Sequence, residues 1–524
     1  MKILMINPVV REEDDPKHIP YGLALLAAIA MDKGHEVQIY DENAWRKGED
    51  MMKQVIAADD WDVISIGGIT TAYNSIKKTL TIAKKGCPAA FIIVGGGFFT
   101  SMPRDMMQFL PQIDVGIVGE AFVTWPAVLE QLQNKDFDFS DTLGICYRDK
   151  EGTVLNRVRA NIKDMDVLPY PAWDLLPLDI YFKNSSLLYS ESAYLSKRRM
   201  DIMGSLGCSL VCKFCFHLGT TGEMVIEENE KGVNDVRFTY GRNIRYHSPA
   251  YIVGMVKELV KRYNVDFVDF IDENLMTMDV SSGRTWMKEI CELWIKEGLQ
   301  PTSRRDGVPD EQNKGGVFWS GTSHANLATK EVLQMMYKAG CSHLVYGIES
   351  FDPAILKTMG KGVVQKHNIE AIQVCMDTGI IPLPNMIIGF PLETFDSIRT
   401  NIEWLTKLGI TCKPHFATPY PGSEWFFTYK TSILEQYDGD LEAFIMDLGD
   451  ASKPTCTICH KFSPGILMGL QQIVLEKNLR LLTQTEKHWA GADALTQSLA
   501  VPKTSFNIIN KKVNAPMEEV VKQI

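Results

Sequence analysis

The chain has 524 residues, 45% apolar and 23% charged, and its 65 acidic against 54 basic side chains give a formal net charge of −11. That balance excludes a mostly disordered chain, and it excludes a surface built for sequence-independent nucleic-acid binding, which relies on a basic face. At roughly 150 residues per domain, the length corresponds to about three or four domains.

No apolar run reaches the roughly 18 residues of a membrane span, and Tyr21–Met31 is too short for one. The opening Met1–Ile6 reads as a strand and lacks the sections of a signal peptide. Eleven cysteines, an odd number spread along a long chain, are not a secreted disulfide framework. These features predict a cytoplasmic protein with free thiols, no membrane and no nucleic-acid partner.

The first 135 residues alternate apolar runs with amphipathic stretches. Strands are expected at Lys2–Ile6, Glu36–Tyr40, Val63–Ile66, Phe91–Val94 and Val115–Val118. Helices are expected near Gly22–Lys33, Asp50–Ala57, Ser75–Lys85 and Pro103–Phe109, with another after Glu120. Strand–helix alternation predicts a parallel sheet covered on both faces, whose ligands sit at the carboxyl ends of the strands. The Gly-rich segments Gly67–Thr71, Gly95–Thr100 and Gly119–Glu120 fall at those ends. Residues 141–195, with the Pro-punctuated Leu168–Asp174, read as a linker. From 196 to 430 the alternation returns, with strands expected at Asp201–Gly204, Phe267–Ile271, Phe318–Gly321, His343–Gly347, Leu383–Ile388 and Lys413–Ala417. Six such units predict a full or partial barrel. Residues 431–524 read as mainly helical, with one helix over Gly465–Leu482.

The strongest chemical signal is Cys208-Ser-Leu-Val-Cys212-Lys-Phe-Cys215, three thiols within eight residues. Three thiolates can hold three irons of a 4Fe–4S cluster and leave the fourth open to a substrate, with Phe214 and Phe216 as shields. A structural zinc completed by His217 is the alternative. Asp272-Glu273-Asn274 follows an apolar strand and either meets a bound substrate or forms a solvated turn. His324 and Asn326 face the same choice. Arg198 and Arg199 either approach an anionic substrate or form a solvated basic turn before a strand, the reading preferred, and Trp125, Trp286 and Trp404 read as packing residues. Cys87, Cys146, Cys291, Cys341, Cys375 and Cys412 occur singly and read as buried thiols. Cys456-Thr-Ile-Cys459-His460 reads as structural or substrate-side, with a second metal left open.

The cysteine spacing resembles the radical S-adenosylmethionine (SAM) superfamily, with its CxxxCxxC after the first barrel strand. Tyr346-Gly347-Ile348-Glu349-Ser350 resembles that family's ribose-contacting segment, Asn385–Pro391 its adenine-flanking loop and Pro419–Ser423 its closing turn. The resemblance implies that Cys208, Cys212 and Cys215 hold the cluster and are its catalytic ligands. It also implies that Phe214, Glu273, Ser320, Glu349, Ser350, Asn385, Gly389 and Tyr420 contact the cluster or SAM. Joined to an N-terminal α/β domain, the barrel resembles the cobalamin-binding class of these enzymes. The fold implied is α/β: a Rossmann-like cobalamin-binding domain over 1–140, a radical SAM partial (β/α)6 barrel over 196–430, and a helical domain over 431–524 that selects or caps the substrate.

In this resemblance cobalamin contacts Pro20, Tyr21, Gly22, Thr70, Thr71, Tyr73, Gly95, Gly96, Gly97, Phe98, Gly119 and Glu120. The DxHxxG motif that supplies a lower cobalt ligand in many cobalamin proteins is missing, and Tyr73 or Thr71 is expected on that face instead. The implied activity is C-methyltransfer to an unactivated carbon of a peptide, protein or natural product. Its cofactors are the cluster, SAM and cobalamin, and ferredoxin or flavodoxin supplies electrons. The implied mechanism runs through a 5′-deoxyadenosyl radical and methylcobalamin. Cyclisation or oxidation without methyl transfer, and a zinc-stapled binding module, are the rivals.

Overall fold

The computed structural model describes residues 1–184, 196–216, 222–228, 234–277, 282–283, 285–304, 315–327 and 329–498. Two compact units are formed. The first comprises Met1–Gly347, Gly360–Leu383 and Tyr420–Phe427; the second comprises Ile348–Met359, Pro384–Pro419 and the chain from Thr428 onward.

The first unit opens with β1 (Lys2–Asn7), β2 (Glu36–Asp41), β3 (Val63–Gly67), β4 (Phe91–Gly95) and β5 (Val115–Ile117). Ile3, Leu4, Met5 and Ile6 are all fully buried, the continuous burial of a parallel strand covered on both faces. The strand order β2-β1-β3-β4-β5 is the flavodoxin-type doubly wound order. Its switch point lies between β1 and β3, so a ligand belongs outside the loops that follow those strands. The helix Tyr73–Gly86 covers the sheet with Tyr73, Ile76, Leu80 and Ala83, at the three-to-four spacing of a buried stripe.

The sheet does not end at residue 140. Strands β6 (Ile145–Arg148) and β7 (Thr153–Leu155) extend it, β6 pairing antiparallel with β5 and β7 with β6. The expected linker therefore contributes two further strands as far as Leu155, β7 forming the edge. A turn over Asp149–Gly152 joins them, Asp149 accepting from the backbone of both Glu151 and Gly152.

The second sheet has six strands in the order β17-β16-β15-β14-β13-β8. They are β8 (Arg199–Ile202), β13 (Phe267–Phe270), β14 (Phe318–Ser323), β15 (Cys341–Glu349), β16 (Ile381–Ile388) and β17 (His415–Phe416). Among the described residues β13 pairs in parallel with β8 and β14, β14 with β15, and β16 with β17. Six strands in chain order are what a partial (β/α)6 barrel requires. Between β8 and β13 lie β9 (Ser205–Leu206), β12 (Arg245–Tyr246) and an antiparallel hairpin of β10 (Gly222–Glu228) and β11 (Asn234–Arg242), which the sequence reading missed. In the second unit the expected helix over Gly465–Leu482 is two, Pro464–Leu475 and Leu479–Ser498. Lys477 turns left-handed between them (φ 53°), and Asn478 caps the second through a bond from the Leu481 amide.

Register sets Asp201, Asp269, Ser320 and His343 side by side on four neighbouring strands. Arg199, read from sequence as a solvated turn, lies buried on β8 beneath this row. Its Nη2 is 2.7 Å from Asp201 Oδ1, 2.6 Å from Asp269 Oδ2 and 3.1 Å from His18 Nδ1. Its Nη1 donates to the Lys17 carbonyl at 2.8 Å, and the Ile19 amide donates to Asp201 at 2.8 Å. The loop after β1 is thereby fastened to β8. His18, Asp201 and Asp269 also have the spacing of a metal site, but the guanidinium already supplies their cation. Burial alone would raise the Asp269 carboxyl; Arg199 and His18 hold it below the usual range. Arg199→Ala leaves the buried Asp201 and half-buried Asp269 carboxylates without their shared guanidinium, so it should cost about 3–5 kcal/mol in urea unfolding. A loss below about 1 kcal/mol, the scale of an exposed ion pair, would show that the row is stable without its cation.

Candidate active site

The cysteine segment has little regular structure of its own and is held from three sides. Before it, β9 pairs with β12, Leu206 facing Arg245. From a second side the loop after β13 clasps it. Asp272 accepts from the Gly204 amide at 2.9 Å and from the Ser205 hydroxyl, and Glu273 accepts from the Gly207 amide at 3.1 Å. Asn274 Nδ2 donates to Cys208 Sγ at 3.8 Å. The carboxylates of this loop thus brace the segment; they do not form a solvated turn. From the third side the Trp425 amide donates to the Lys213 carbonyl at 3.1 Å, and Phe214 and Phe216 pack on Trp425 and Tyr420 at centroid distances of 5.7 and 6.2 Å. Cys212 is buried, Cys208 and Cys215 are half-buried, and none of the three is in a disulfide. His217 lies outside the described residues.

At the carboxyl end of β14, His324 is 3% exposed. Its Nδ1 accepts from the Asn326 amide at 3.2 Å, while Nε2 is buried without a hydrogen-bond partner. Burial first, then Lys361 and His367, lower its pKa to about 3, so the ring is neutral. Lys361 is buried and donates to the Gly347 carbonyl at 2.5 Å. Sequence reasoning missed it. The available signal was its place between Gly360 and Gly362, both left-handed at φ 69° and 70°. A Cβ on Gly360 would lie 3.3 Å from the Val211 carbonyl, so this turn abuts the cysteine segment.

In the second unit Glu349 ends β15 with φ 59°, a left-handed conformation that strains a non-glycine residue. Ser350 Oγ donates to Asn401 Oδ1 at 3.1 Å and accepts from the Asp352 amide at 3.0 Å, a structural role for a residue expected at SAM. Asn385 is half-buried on β16. The Gly389 amide donates to Glu393 at 3.2 Å, and burial pushes the Glu393 carboxyl up to about 7.

On the N-terminal sheet, Thr70 and Thr71 follow β3 with buried hydroxyls that have no hydrogen-bond partner. Gly96 follows β4 at φ 92°, and a Cβ there would lie 2.5 Å from the Gly68 carbonyl, so the loops after β3 and β4 stack backbone to backbone. Gly95 ends β4, and the Gly119 amide donates to Thr100 at 3.0 Å. Other expected contacts are engaged elsewhere. Glu120 accepts from the Ile162 amide at 2.9 Å and pairs with Arg245, tying the linker to β12. Tyr21 is buried with its hydroxyl on Met255 Sδ at 3.7 Å, and the Pro20 carbonyl accepts from the Ala24 amide. Gly22 has open space around its Cβ position. Phe98 and Tyr73 are covered by protein, and Ser320 donates to Asp269 at 2.5 Å. All but Gly22 are packed or hydrogen-bonded within the protein.

Residues 8–129 match the B12 binding domain family, and residues 202–405 match the radical SAM superfamily. The chain carries a B12 binding domain followed by a radical SAM domain. An uncharacterized methyltransferase of Pyrococcus horikoshii is 27% identical to it over 441 residues, covering 83% of this chain and 84% of that one. The anaerobic magnesium-protoporphyrin IX monomethyl ester cyclase of Rubrivivax gelatinosus is 24% identical over 440 residues, covering 81% and 69%. The solved radical SAM methyltransferase TsrM of Kitasatospora setae shares the fold at a TM-score of 0.61 and 14% identity, covering 83% of this chain and 76% of that one.

The residues of this chain fit the cluster, SAM and cobalamin. Three thiols in one segment are the donor set of a cluster with an open iron. The unpartnered His324 Nε2 and Asn274 Oδ1, with Lys361 nearby, are polar groups that a SAM molecule can satisfy. The unpartnered Thr70 and Thr71 hydroxyls lie at the sheet's switch point, where a corrin belongs. In the second cysteine motif, burial raises both thiols, Cys456 to about 12, and Cys459 Sγ accepts from the Phe462 amide. No helix among the described residues is long and apolar enough to cross a membrane.

Burial raises the Asp272 carboxyl from 3.8 to about 7 despite its two donors. Between those values the folded state binds more protons than the unfolded one, so this group's contribution to stability is lost as pH rises from about 4 to about 7. Asp272→Asn should flatten that part of the pH–stability curve in urea titrations. An unchanged slope would show that Asp272 ionises as an ordinary carboxylate.

Proposed function

We propose that this protein is a cobalamin-dependent radical SAM methyltransferase acting on an unactivated carbon of a peptide, protein or natural product. The observation that carries the reading is the packing of the cysteine segment on a corrin-side loop: Phe216, next to Cys215, sits directly on Gly97 after β4. A methyl carrier and a radical source placed this way serve one substrate. The methyltransferase relatives support the same choice.

When bound, the cluster and SAM supply radical chemistry and cobalamin carries the methyl group. The chain's own groups bind and orient. Cys208, Cys212 and Cys215 hold three irons, while Asp272, Glu273 and Asn274 keep the segment in place. Lys361 offers a cation to the carboxylate of SAM, neutral His324 offers a ring nitrogen, and Glu349 accepts from the ribose hydroxyls. Thr71, half-buried with a buried, unpartnered hydroxyl, would meet the corrin in preference to the fully covered Tyr73. Gly389 and Asn385 flank the adenine, Tyr420 closes the turn, and the helices beyond 431 select the substrate. Ferredoxin or flavodoxin donates electrons, in a reducing cytoplasm that keeps all eleven cysteines free. The likeness to the cyclase favours, as a second reading, radical chemistry on the same cofactors without methyl transfer.

Anaerobic purification with cobalamin, followed by metal analysis and turnover with SAM and a reductant, tests the proposal. About four irons and one cobalt per chain, 5′-deoxyadenosine, S-adenosylhomocysteine and a product heavier by one CH2 unit are expected. 5′-Deoxyadenosine with no mass gain would favour the second reading, and zinc alone would refute both.

Glu349→Gly separates fold from function at one position. Removing the left-handed strain should leave the melting temperature equal or higher. Losing charge-assisted hydrogen bonds to the ribose should weaken SAM binding by roughly tenfold or more in calorimetric titration. Unchanged SAM affinity would remove Glu349 from the site.

A further inference from the structure

The cysteine segment touches the cobalamin-side loops at its far end and is tied to them through β12 at its near end. At the far end, Phe216 follows Cys215 and lies on Gly97. A Cβ on Gly97 would fall 2.3 Å from Cζ and 2.6 Å from Cε1 of the Phe216 ring, well inside van der Waals contact. The ring is backed by the edge of Tyr420, with a centroid distance of 6.2 Å, so it has a neighbour on that side too. Beneath Gly97, the Gly96 backbone lies against Gly68 after β3, where a Cβ would fall 2.5 Å from a carbonyl oxygen. Phe216, the β4 loop and the β3 loop form one stack without slack. At the near end, Glu120 after β5 pairs with Arg245, both largely buried, and Arg245 stands opposite Leu206, two residues before Cys208. The loops at the carboxyl ends of β3, β4 and β5 are the ones a corrin at this sheet would order.

We propose that Phe216 and the Glu120–Arg245 pair are positioning elements that couple the two cofactor sites, so that loading the cluster tightens cobalamin binding and cobalamin in turn stabilises the cluster. The inference rests on the reading that both cofactors bind. The physical basis is that packed interfaces deform in discrete steps: a β4 loop drawn into place by a corrin presents Gly97 to Phe216 in one position, and that position fixes Cys215. Linkage makes the effect reciprocal, by the same factor in both directions. It also gives Gly97 a reason to be glycine that is separate from any contact with the corrin: a side chain there would displace the ring.

The test is a spectrophotometric titration of the full chain with hydroxocobalamin under anaerobic conditions, comparing cluster-loaded with cluster-free protein. In the wild type, loading should tighten cobalamin binding by about fivefold or more. In Phe216→Ala the ratio should fall below about twofold, and Glu120→Gln, which loses the other tie, should also lower it. Gly97→Ala should weaken cobalamin binding, and adding Phe216→Ala to it should restore the loss, because the ring is what the new Cβ meets. If Phe216→Ala does not load iron, Phe216→Leu, which keeps an apolar filler of smaller reach, reports the same ratio. A wild-type ratio near one, or a fivefold ratio surviving in the Phe216 variant, overturns the coupling while leaving the methyltransferase reading intact. Wild-type protein that takes up iron but no cobalamin overturns that reading and the coupling with it.

Discussion

Arg199 sits between two carboxylates on adjacent strands, and its other nitrogen holds the Lys17 carbonyl. A buried guanidinium is costly unless it is paired, and here the pairing groups come from β8, from β13 and from the loop after β1. That requirement joins a loop of the first sheet to the edge strand of the second. Further ties add to it in the same unit: Tyr21 on Met255, His247 on Asp166, Glu120 on Arg245. The placement of the loops after β3 and β4 against the cysteine segment depends on these fastenings, because the segment has almost no regular structure with which to place itself.

The cysteine segment illustrates how an irregular stretch is made definite. Its backbone amides at Gly204 and Gly207 find their acceptors in Asp272 and Glu273, and its aromatic residues find Trp425 and Tyr420. Asp272 is buried in this task, and burial raises its carboxyl to about 7 against the opposing effect of the two hydrogen bonds it accepts. A perturbed acid near an active site is often read as a proton donor. Here burial in a bracing position accounts for the shift.

Much of the architecture was legible beforehand. Continuous apolar runs such as Ile3–Ile6 are buried on both faces whatever their neighbours, so strand positions followed from the runs themselves. The cysteine spacing and the order of the later segments likewise pointed to the cluster and its family. Strands β6 and β7 were not legible, since short antiparallel strands carry no long apolar run. Nor was Lys361, a single cation whose meaning depends on the Gly347 carbonyl, fourteen residues away in the chain.

The sequence by itself determined which elements form and which ligands are available: period, run length and residue type are local properties, and three thiols within eight residues are a donor set wherever they fold. Tertiary structure alone decided the roles of the single polar residues. Arg199 reads from sequence as a solvated turn, and Asp272 as either a substrate contact or a solvated turn, while Glu120 and Ser320 are expected near cofactors. In the folded chain each is bound to a partner between 51 and 182 residues away. A polar side chain takes its role from whatever satisfies it when water is removed, and that partner is chosen by the packing of distant segments.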